Sequence, residues 1–503
     1  MANAVVFNRR AMLAGGIMLP IGSAVAQVTP DTLRPEAFGA KGDGRSDDTA
    51  AFQAMSQEVK RRGGGTVSLG AGATYRLGRQ VRGRTGDPVY MPETMLSVSG
   101  VSGLVIEGNG ATLKLNDGLH YGSFDPATGQ RFDPPRGKFT DPHYGAHVGS
   151  LIALSKCTGV RIRNLVLDGN ADALVVGGRW NIDIQLHADG LRLLDVADVQ
   201  VENLLSRNHG LDGVYLRGRT RGAAGNGGDA IRFRNLRCIG NGRQGVSVVG
   251  GSGVSFVDCL FADTAQGTIA SAPSAGVDIE PNGRDWASAL LFQNCQFRNN
   301  RGVGLLAAEG ASRGITVRGC TFWQGFAAGA HSKGSGDAFW LVKPGVVVDG
   351  CTVHGNVTNL APSAIARRSS FDDETLTSYG QSAQRRRYLL AGVAGTFEDC
   401  TFTVTAPGAH ALVYVIKPAT FRRCRMRHAG QALPSNLAAA FFSKAVTLED
   451  VHFTEALRQP SPTGNYIAAN NAVLRGQVLV SGPHIRWGGK KGRVGNVVAA
   501  GRE

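Results

Sequence analysis

Residues 254–261 read VSFVDCLF, and the same pattern returns as LLFQNCQF (290–297), ITVRGCTF (315–322), VVVDGCTV (346–353), GTFEDCTF (395–402) and ATFRRCRM (419–426). Each copy is an alternating strand, a polar corner and a second short strand. Cys259, Cys295, Cys320, Cys351, Cys400 and Cys424 share one position of the repeat. Leu165, Leu204 and Val451 hold it in VRIRNLVL (160–167), VQVENLLS (199–206) and VTLEDVHF (446–453). A position open to Leu, Val and Cys is an apolar packing position, because a free thiol packs as a small hydrophobe. Two residues on runs a second apolar column of Leu167, Phe261, Phe297, Phe322, Phe402 and Phe453. Just before the cysteine stands a polar column of Asn164, Asn203, Asn235, Asp258, Asn294, Asp399 and Asp450. Asn and Asp tolerate left-handed backbone and bond locally, so they suit a sharp corner and can stack as a ladder. Copies recur about every 23 to 49 residues, the shorter intervals matching one coil of a solenoid. The reading is all-β: a right-handed parallel β-helix with an N-terminal capping helix and insertion loops.

Bulk composition agrees. The chain has 503 residues and 70 glycines, roughly twice the usual share, which favours turn-rich β structure over helix. Residues 1–26 contain Arg9 and Arg10, a short apolar run, and Ala24-Val25-Ala26 before Gln27. That is the layout of a cleaved export signal, and the paired arginines point to the twin-arginine route. Residues 27–503 then form one domain, periplasmic or secreted, with no membrane span. Cleavage removes two arginines and no acids, so the net charge falls from +15 to +13. This charge suits an anionic polymer or envelope surface rather than nucleic acid. The runs QRRRY (384–388) and GGKKGR (488–493) read as solvated loops. Eight cysteines in an exported chain would ordinarily imply disulfides. The apolar column that six of them share implies stacked, buried thiols instead.

RPEAFGAKGDGRSDDTAAFQAM followed by GGGTVSLGAGATYRL (34–77) resembles the opening of the pectate-lyase-like β-helix superfamily. The resemblance implies a first strand, a helix that closes the barrel end, and the first coil. The residues themselves read as an amphipathic helix, with Ser46 or Asp47 at the N-cap and Ala51, Phe52, Met55 and Val59 on one face. Asp43, Asp47 and Asp48 serve helix capping rather than a metal.

Aligning the strand that precedes each corner gives HADGLRLL (187–194), GLDGVYLR (210–217), RQGVSVV (243–249) and AGVDIEP (275–281). Gly190, Gly213, Gly245 and Gly276 fall into one column, preceded by Asp189, Asp212, Gln244 and Ala275. Two residues after each glycine come Arg192, Tyr215, Ser247 and Asp278; four after come Leu194, Arg217, Val249 and Glu280. The layout is similar to the polygalacturonase family of glycoside hydrolases, which stacks N-T-D, D-D, G-H-G and R-I-K on four coils. Asp189 and Asp212 match its aspartates. Leu211, Gln244, Asp278 and Glu280 depart from it, the last two standing where Arg and Lys hold the galacturonate carboxylate. The resemblance therefore implies the scaffold and two aspartates, but not that substrate.

Asp189, Asp212, Asp278 and Glu280 are the catalytic candidates, because clustered carboxyls split their pKa values as acid and base work requires. Arg192, Arg217, Tyr215, His209 and Gln244 are the substrate-binding candidates. The expected function is an exported glycoside hydrolase acting on a polysaccharide or oligosaccharide, with no cofactor required. One alternative is a polysaccharide lyase, in which Asp212, Asp278 and Glu280 would offer Ca²⁺ hard oxygen ligands. A second is a non-catalytic polysaccharide-binding module or adhesin. Insertions at 116–149, 323–343 and 354–391 would wall the groove. Tyr121, Phe124, Phe132, Phe139, Tyr144, Trp323, Phe326, Phe339 and Trp340 would be available there to stack on sugars or to pack the loops. Residues 456–503 lose the repeat and are expected to cap the solenoid. The pattern leaves the sugar, endo or exo action and oligomeric state open.

Overall fold

The computed structural model describes residues 32–499 except 138–140, 181–184, 220–227, 325–336, 376–387, 406–409, 431–432, 434–437, 444, 458–464, 470–471, 483–484 and 489–496. The export segment, Phe139, Phe326 and most of both basic runs lie outside the described residues. Alternating apolar residues turn inward on every coil, and successive coils pair in parallel. Phe261 lies over Phe297, Phe297 over Phe322, Phe371 over Phe402, and Met426 over Phe453. Ring centroids of stacked pairs sit 4.6 Å apart for Phe297–Phe322 and 5.1 Å apart for Phe371–Phe402. That spacing is close to the ~4.8 Å separation of adjacent strands, so each ring meets the next without leaving its coil. One apolar cluster runs from Leu33 to Val480. The fold is a parallel β-helix.

The polar corners take the conformation expected of them. Asn164, Asn203, Asn235, Asp258, Asn294, Asp399 and Asp450 have φ between 50° and 56°. The side-chain amide of Asn203 donates to Asn164 at 3.0 Å and that of Asn235 to Asn203 at 2.9 Å, forming the ladder. Gly319 and Gly350, at φ 58° and 62°, take the same corner in two copies. All eight cysteines are free and buried. The Cys320 thiol donates to the Phe292 carbonyl of the preceding coil at 3.5 Å. On the outside of this sheet, Arg422 is bracketed by Glu398 (2.9 Å) and Glu449 (3.1 Å) on the coils either side.

Helix α1 (Thr49–Arg62) buries Ala51, Phe52, Met55 and Val59 against the strand Leu96–Ser99, as its spacing predicts. The N-cap is Asp48, not Ser46 or Asp47. Asp43–Asp47 is drawn into a strand paired with Thr74–Leu77. The Asp48 carboxylate accepts the Lys41 and Gly42 amides and ties down the preceding loop. Among the described residues no helix is long and apolar enough to cross a membrane.

The first insertion is more than a loop wall. Strands at 80–82, 90–92, 120–123, 145–146 and 175–176 form a separate five-stranded sheet. Tyr121 is buried in the main core and Phe124 with Val89 and Ala146 in the side sheet, so neither faces a wet groove. Phe132 stacks on Tyr144 at 5.5 Å. Past residue 456 the parallel pairing continues: Val446–Glu455 pairs Val473–Ser481, which pairs Val497–Ala499.

Candidate active site

The sheet opposite the cysteine corners carries the glycine column in the expected register. Arg192 pairs Tyr215, Tyr215 pairs Ser247, Ser247 pairs Asp278, Asp278 pairs Leu306, and Leu306 pairs Trp340. The column needs glycine because the coil turns inward too tightly for a side chain. A Cβ at Gly190 would fall 2.2 Å from the Ser206 hydroxyl and 2.6 Å from His209 Nε2. The register holds until residue 249, where a bulge pairs Arg217 with Gly250 rather than Val249.

A cleft of about 770 Å³ opens on this face. Its lining includes Arg192, Tyr215, Arg243, Asp278, Glu280, Glu309 and Trp340. Arg243, which the sequence pattern did not single out, organises the floor. Its guanidinium grips Glu280 with two parallel bonds, Nη1 to Oε1 at 3.0 Å and Nη2 to Oε2 at 3.1 Å. The same Nη1 lies 3.6 Å from Asp212 Oδ2. Burial works against the Arg243 charge, yet the Asp212 and Glu280 carboxylates outweigh it and push its pKa up. Gln244 spends its amide on two carboxyls at once: Nε2 donates to Asp278 Oδ2 at 2.9 Å and to Glu280 Oε1 at 3.1 Å. The Ser247 hydroxyl donates to Glu280 Oε1 at 2.9 Å.

Burial pushes the Asp278 pKa well above the carboxylate range, and the neighbouring Glu280 charge adds to the shift. Burial does the same to Asp212, opposed by Arg243 and reinforced by Asp189 and Glu280. These are the two ways of holding a carboxyl neutral: removing its water and setting like charge beside it.

The structure places the other candidates as follows. Asp189 and Asp212 are fully buried and do not line the cleft. Asp189 accepts Arg192 Nη1 at 2.7 Å and the Ser150 hydroxyl at 3.1 Å, so it anchors the arginine from behind. Arg192 lies over the Tyr215 ring at 4.0 Å, and both face the cleft. His209 is buried, and burial drives its pKa down to about 4, so it is a neutral ring within the wall. Arg217 turns away to Asp195 (3.2 Å) and Asp285 (3.9 Å). Where the sequence offered Asp212, Asp278 and Glu280 to Ca²⁺, a guanidinium already supplies the counter-charge. Among the described residues, one His and carboxylate group has its ligand atoms within 4.8 Å of one another: His354, Asp372 and Glu374, on another sheet.

The signal that could have found Arg243 is charge balance. Asp278 and Glu280 lie two residues apart with Asp212 two coils away, a crowd of acids that calls for a cation nearby, and Arg243 is the residue beside Gln244.

Residues 150–342 match the family model of the right-handed β-helix region. The chain carries a right-handed β-helix region. That matched region contains every cleft residue named above. Over 83 residues the chain is 35% identical to a capsule KN3-specific depolymerase of Klebsiella phage KN3-1; the match covers 16% of this chain and 10% of that protein. The chain therefore spans about a tenth of the length of this curated relative. Similar solved structures include the A-module of the mannuronan C-5 epimerase AlgE6 of Azotobacter vinelandii, 16% identical, with a TM-score of 0.43, covering 90% of this chain and 100% of that one. The capsular polysaccharide depolymerase tailspike gp49 of Acinetobacter baumannii bacteriophage Fri1 is 13% identical, with a TM-score of 0.34, covering 94% and 64%.

Proposed function

We propose that the protein is a glycoside hydrolase that cleaves a polysaccharide outside the cytoplasm, with Asp278 as general acid and Glu280 as its partner carboxylate. The Gln244 amide carries this reading. Its two N–H groups satisfy one oxygen of each carboxyl, which leaves Asp278 Oδ1 to hold the proton that burial favours. Glu280 is the anion of a bidentate ion pair with Arg243. One cleft wall thus presents a neutral acid and a charged carboxylate side by side, the division of labour that glycoside hydrolysis requires.

The steps follow from these positions. Asp278 donates its proton to the glycosidic oxygen as the bond to the anomeric carbon breaks. Glu280 either removes a proton from the attacking water or attacks the anomeric carbon itself, and the anomeric configuration of the product distinguishes the two. Gln244 stays neutral throughout, so the pair keeps its charge difference where a histidine would add a third titrating group. Arg243 provides the positive charge near Asp212 and Glu280, and the mechanism uses no Ca²⁺. The 35% identity to a capsule depolymerase supports a polysaccharide substrate.

β-Elimination on a uronate polymer is the second reading, favoured by Tyr215 under the Arg192 guanidinium at 4.0 Å. A panel of acidic and neutral polysaccharides separates the readings. Hydrolysis releases reducing ends without new ultraviolet absorbance; elimination adds the absorbance of an unsaturated uronate. Absence of both products across the panel, with binding retained, would leave the adhesin reading standing.

A further inference from the structure

Along the solenoid axis the cleft carries an arginine towards one end and a tryptophan towards the other. Arg192 and Tyr215 lie three and two coils before Asp278, and Trp340 lies two coils beyond it. At ~4.8 Å per coil, Arg192 stands roughly 14 Å to one side of the acid and Trp340 roughly 10 Å to the other. Glu309 also lines the cleft, just after the strand Leu305–Ala307 on the coil between Asp278 and Trp340. Arg192 is pre-set rather than free. Asp189 holds one of its nitrogens from behind, Tyr215 supports its face, and among the described residues its other N–H groups bond no further partner, so they can meet a ligand in the cleft. An arginine fixed this way recognises a carboxylate without first losing rotamer freedom. On the Trp340 side of Asp278 an anion would meet Glu309, whereas the apolar face of a neutral sugar can lie on the indole.

We propose that the cleft takes an acidic heteropolysaccharide in one orientation, with a carboxylate-bearing sugar over Arg192 and Tyr215 and a neutral sugar on Trp340. The scissile bond lies between them, over Asp278 and Glu280. This assignment rests on the hydrolase reading for the bond broken, but not for the binding it predicts. It also separates the protein from a homopolymeric uronate cleaver, whose substrate would bring negative charge to Glu309 and Glu280.

Affinity electrophoresis of the full chain through gels of hyaluronan, xanthan and gellan, each native and carboxyl-reduced, tests the proposal. At least one native polymer should retard the protein, and reduction of its carboxyl groups should weaken that retardation at least tenfold. R192Q should bind native and reduced forms alike. R192K, which keeps a cation against Asp189, should retain a partial preference and serve as the folding control. W340A should weaken both forms by the same factor. Equal binding of native and reduced polymer by the parent protein would overturn the proposal. So would equal loss on both forms in R192Q, or no retardation by any panel member. Reducing-end release on the same polymers reads the hydrolase assignment separately.

Discussion

On the cysteine-corner sheet, Phe297 lies over Phe322 and the Asn203 amide bonds Asn164. On the cleft sheet, Arg192, Tyr215, Ser247, Asp278, Leu306 and Trp340 follow one another on successive coils. Both sheets use the same parallel ladder and the same coil rise. In the first, like stacks on like, and each contact repeats one that already works. In the second, each coil brings a different chemistry to the same outward position. Buried polar atoms differ in the same way. The corner asparagines bond each other, whereas Asp189 Oδ1, both Asp212 oxygens, Gln244 Oε1 and Arg243 Nε find no hydrogen-bond partner among the described residues. Unsatisfied buried groups cost free energy. The repeat sheet thus supplies the stability with which the cleft sheet holds a charge cluster that a packing sheet would not keep.

Substitutions on the two sheets should therefore fail in different ways. Asp278→Asn removes the proposed general acid and should lower kcat by about 10²–10⁴-fold while the melting temperature holds or rises, as read by reducing-end kinetics beside calorimetry. Phe297→Ala should do the reverse. It opens a cavity in the ring stack and should cost about 3–5 kcal/mol of stability, with kcat per folded molecule unchanged. A kcat loss in Phe297→Ala matching that of Asp278→Asn would break the division between the sheets.

Asn203→Ala probes the corner itself. Alanine must take the left-handed φ of 53° and loses the ladder amide, so denaturant unfolding should show a loss of about 1–2 kcal/mol. Asp212→Asn probes the charge cluster through pH. The folded-state pKa of Asp212 is raised by burial, so between its ordinary and its raised pKa the folded protein holds the proton more tightly. Its contribution is then complete below the unfolded pKa and is lost as pH rises through the folded one. The stability of the parent protein should fall with rising pH more steeply than that of Asp212→Asn, an effect that calorimetry across that range can read. Smallest of all should be the effect of a chelator. With Arg243 as counter-charge, activity should be unchanged after metal removal; its loss, restored by Ca²⁺, would return Asp212, Asp278 and Glu280 to the metal-ligand reading.

Most of the repeat sheet was legible in the sequence because its columns are made of one residue type. Cysteine, phenylalanine and asparagine mark their positions by recurrence, and period-2 alternation fixes which face each one takes. On the cleft sheet the glycine column gave the register, and Asp278, Glu280, Arg192 and Tyr215 line one cleft, with the buried Gln244 bonded to the first two. Three features of the cleft sheet were not legible. Arg243 sits in the bend before its strand, where alternation assigns no face. Arg217 follows the cleft pattern in sequence, but the bulge at residue 249 shifts its neighbour, and Asp195 and Asp285, remote in sequence, capture its guanidinium. Asp189 and Asp212 hold the position before the glycine, where the coil turns inward, so two residues that read as displayed are buried behind the cleft wall. The five-stranded side sheet was hidden for a plainer reason: strands of two to four residues carry too little alternation to stand out from a loop.

Hydrolysis of the proposed kind requires Asp278 to hold a proton beside an anionic Glu280. Infrared difference spectroscopy of the parent protein against Asp278→Asn at pH 7 reads that proton directly. The expected spectrum contains a protonated-carboxyl band that Asp278→Asn removes and that titrates well above the range of an ordinary aspartate. A difference spectrum showing only an ionised carboxylate at residue 278 would contradict it.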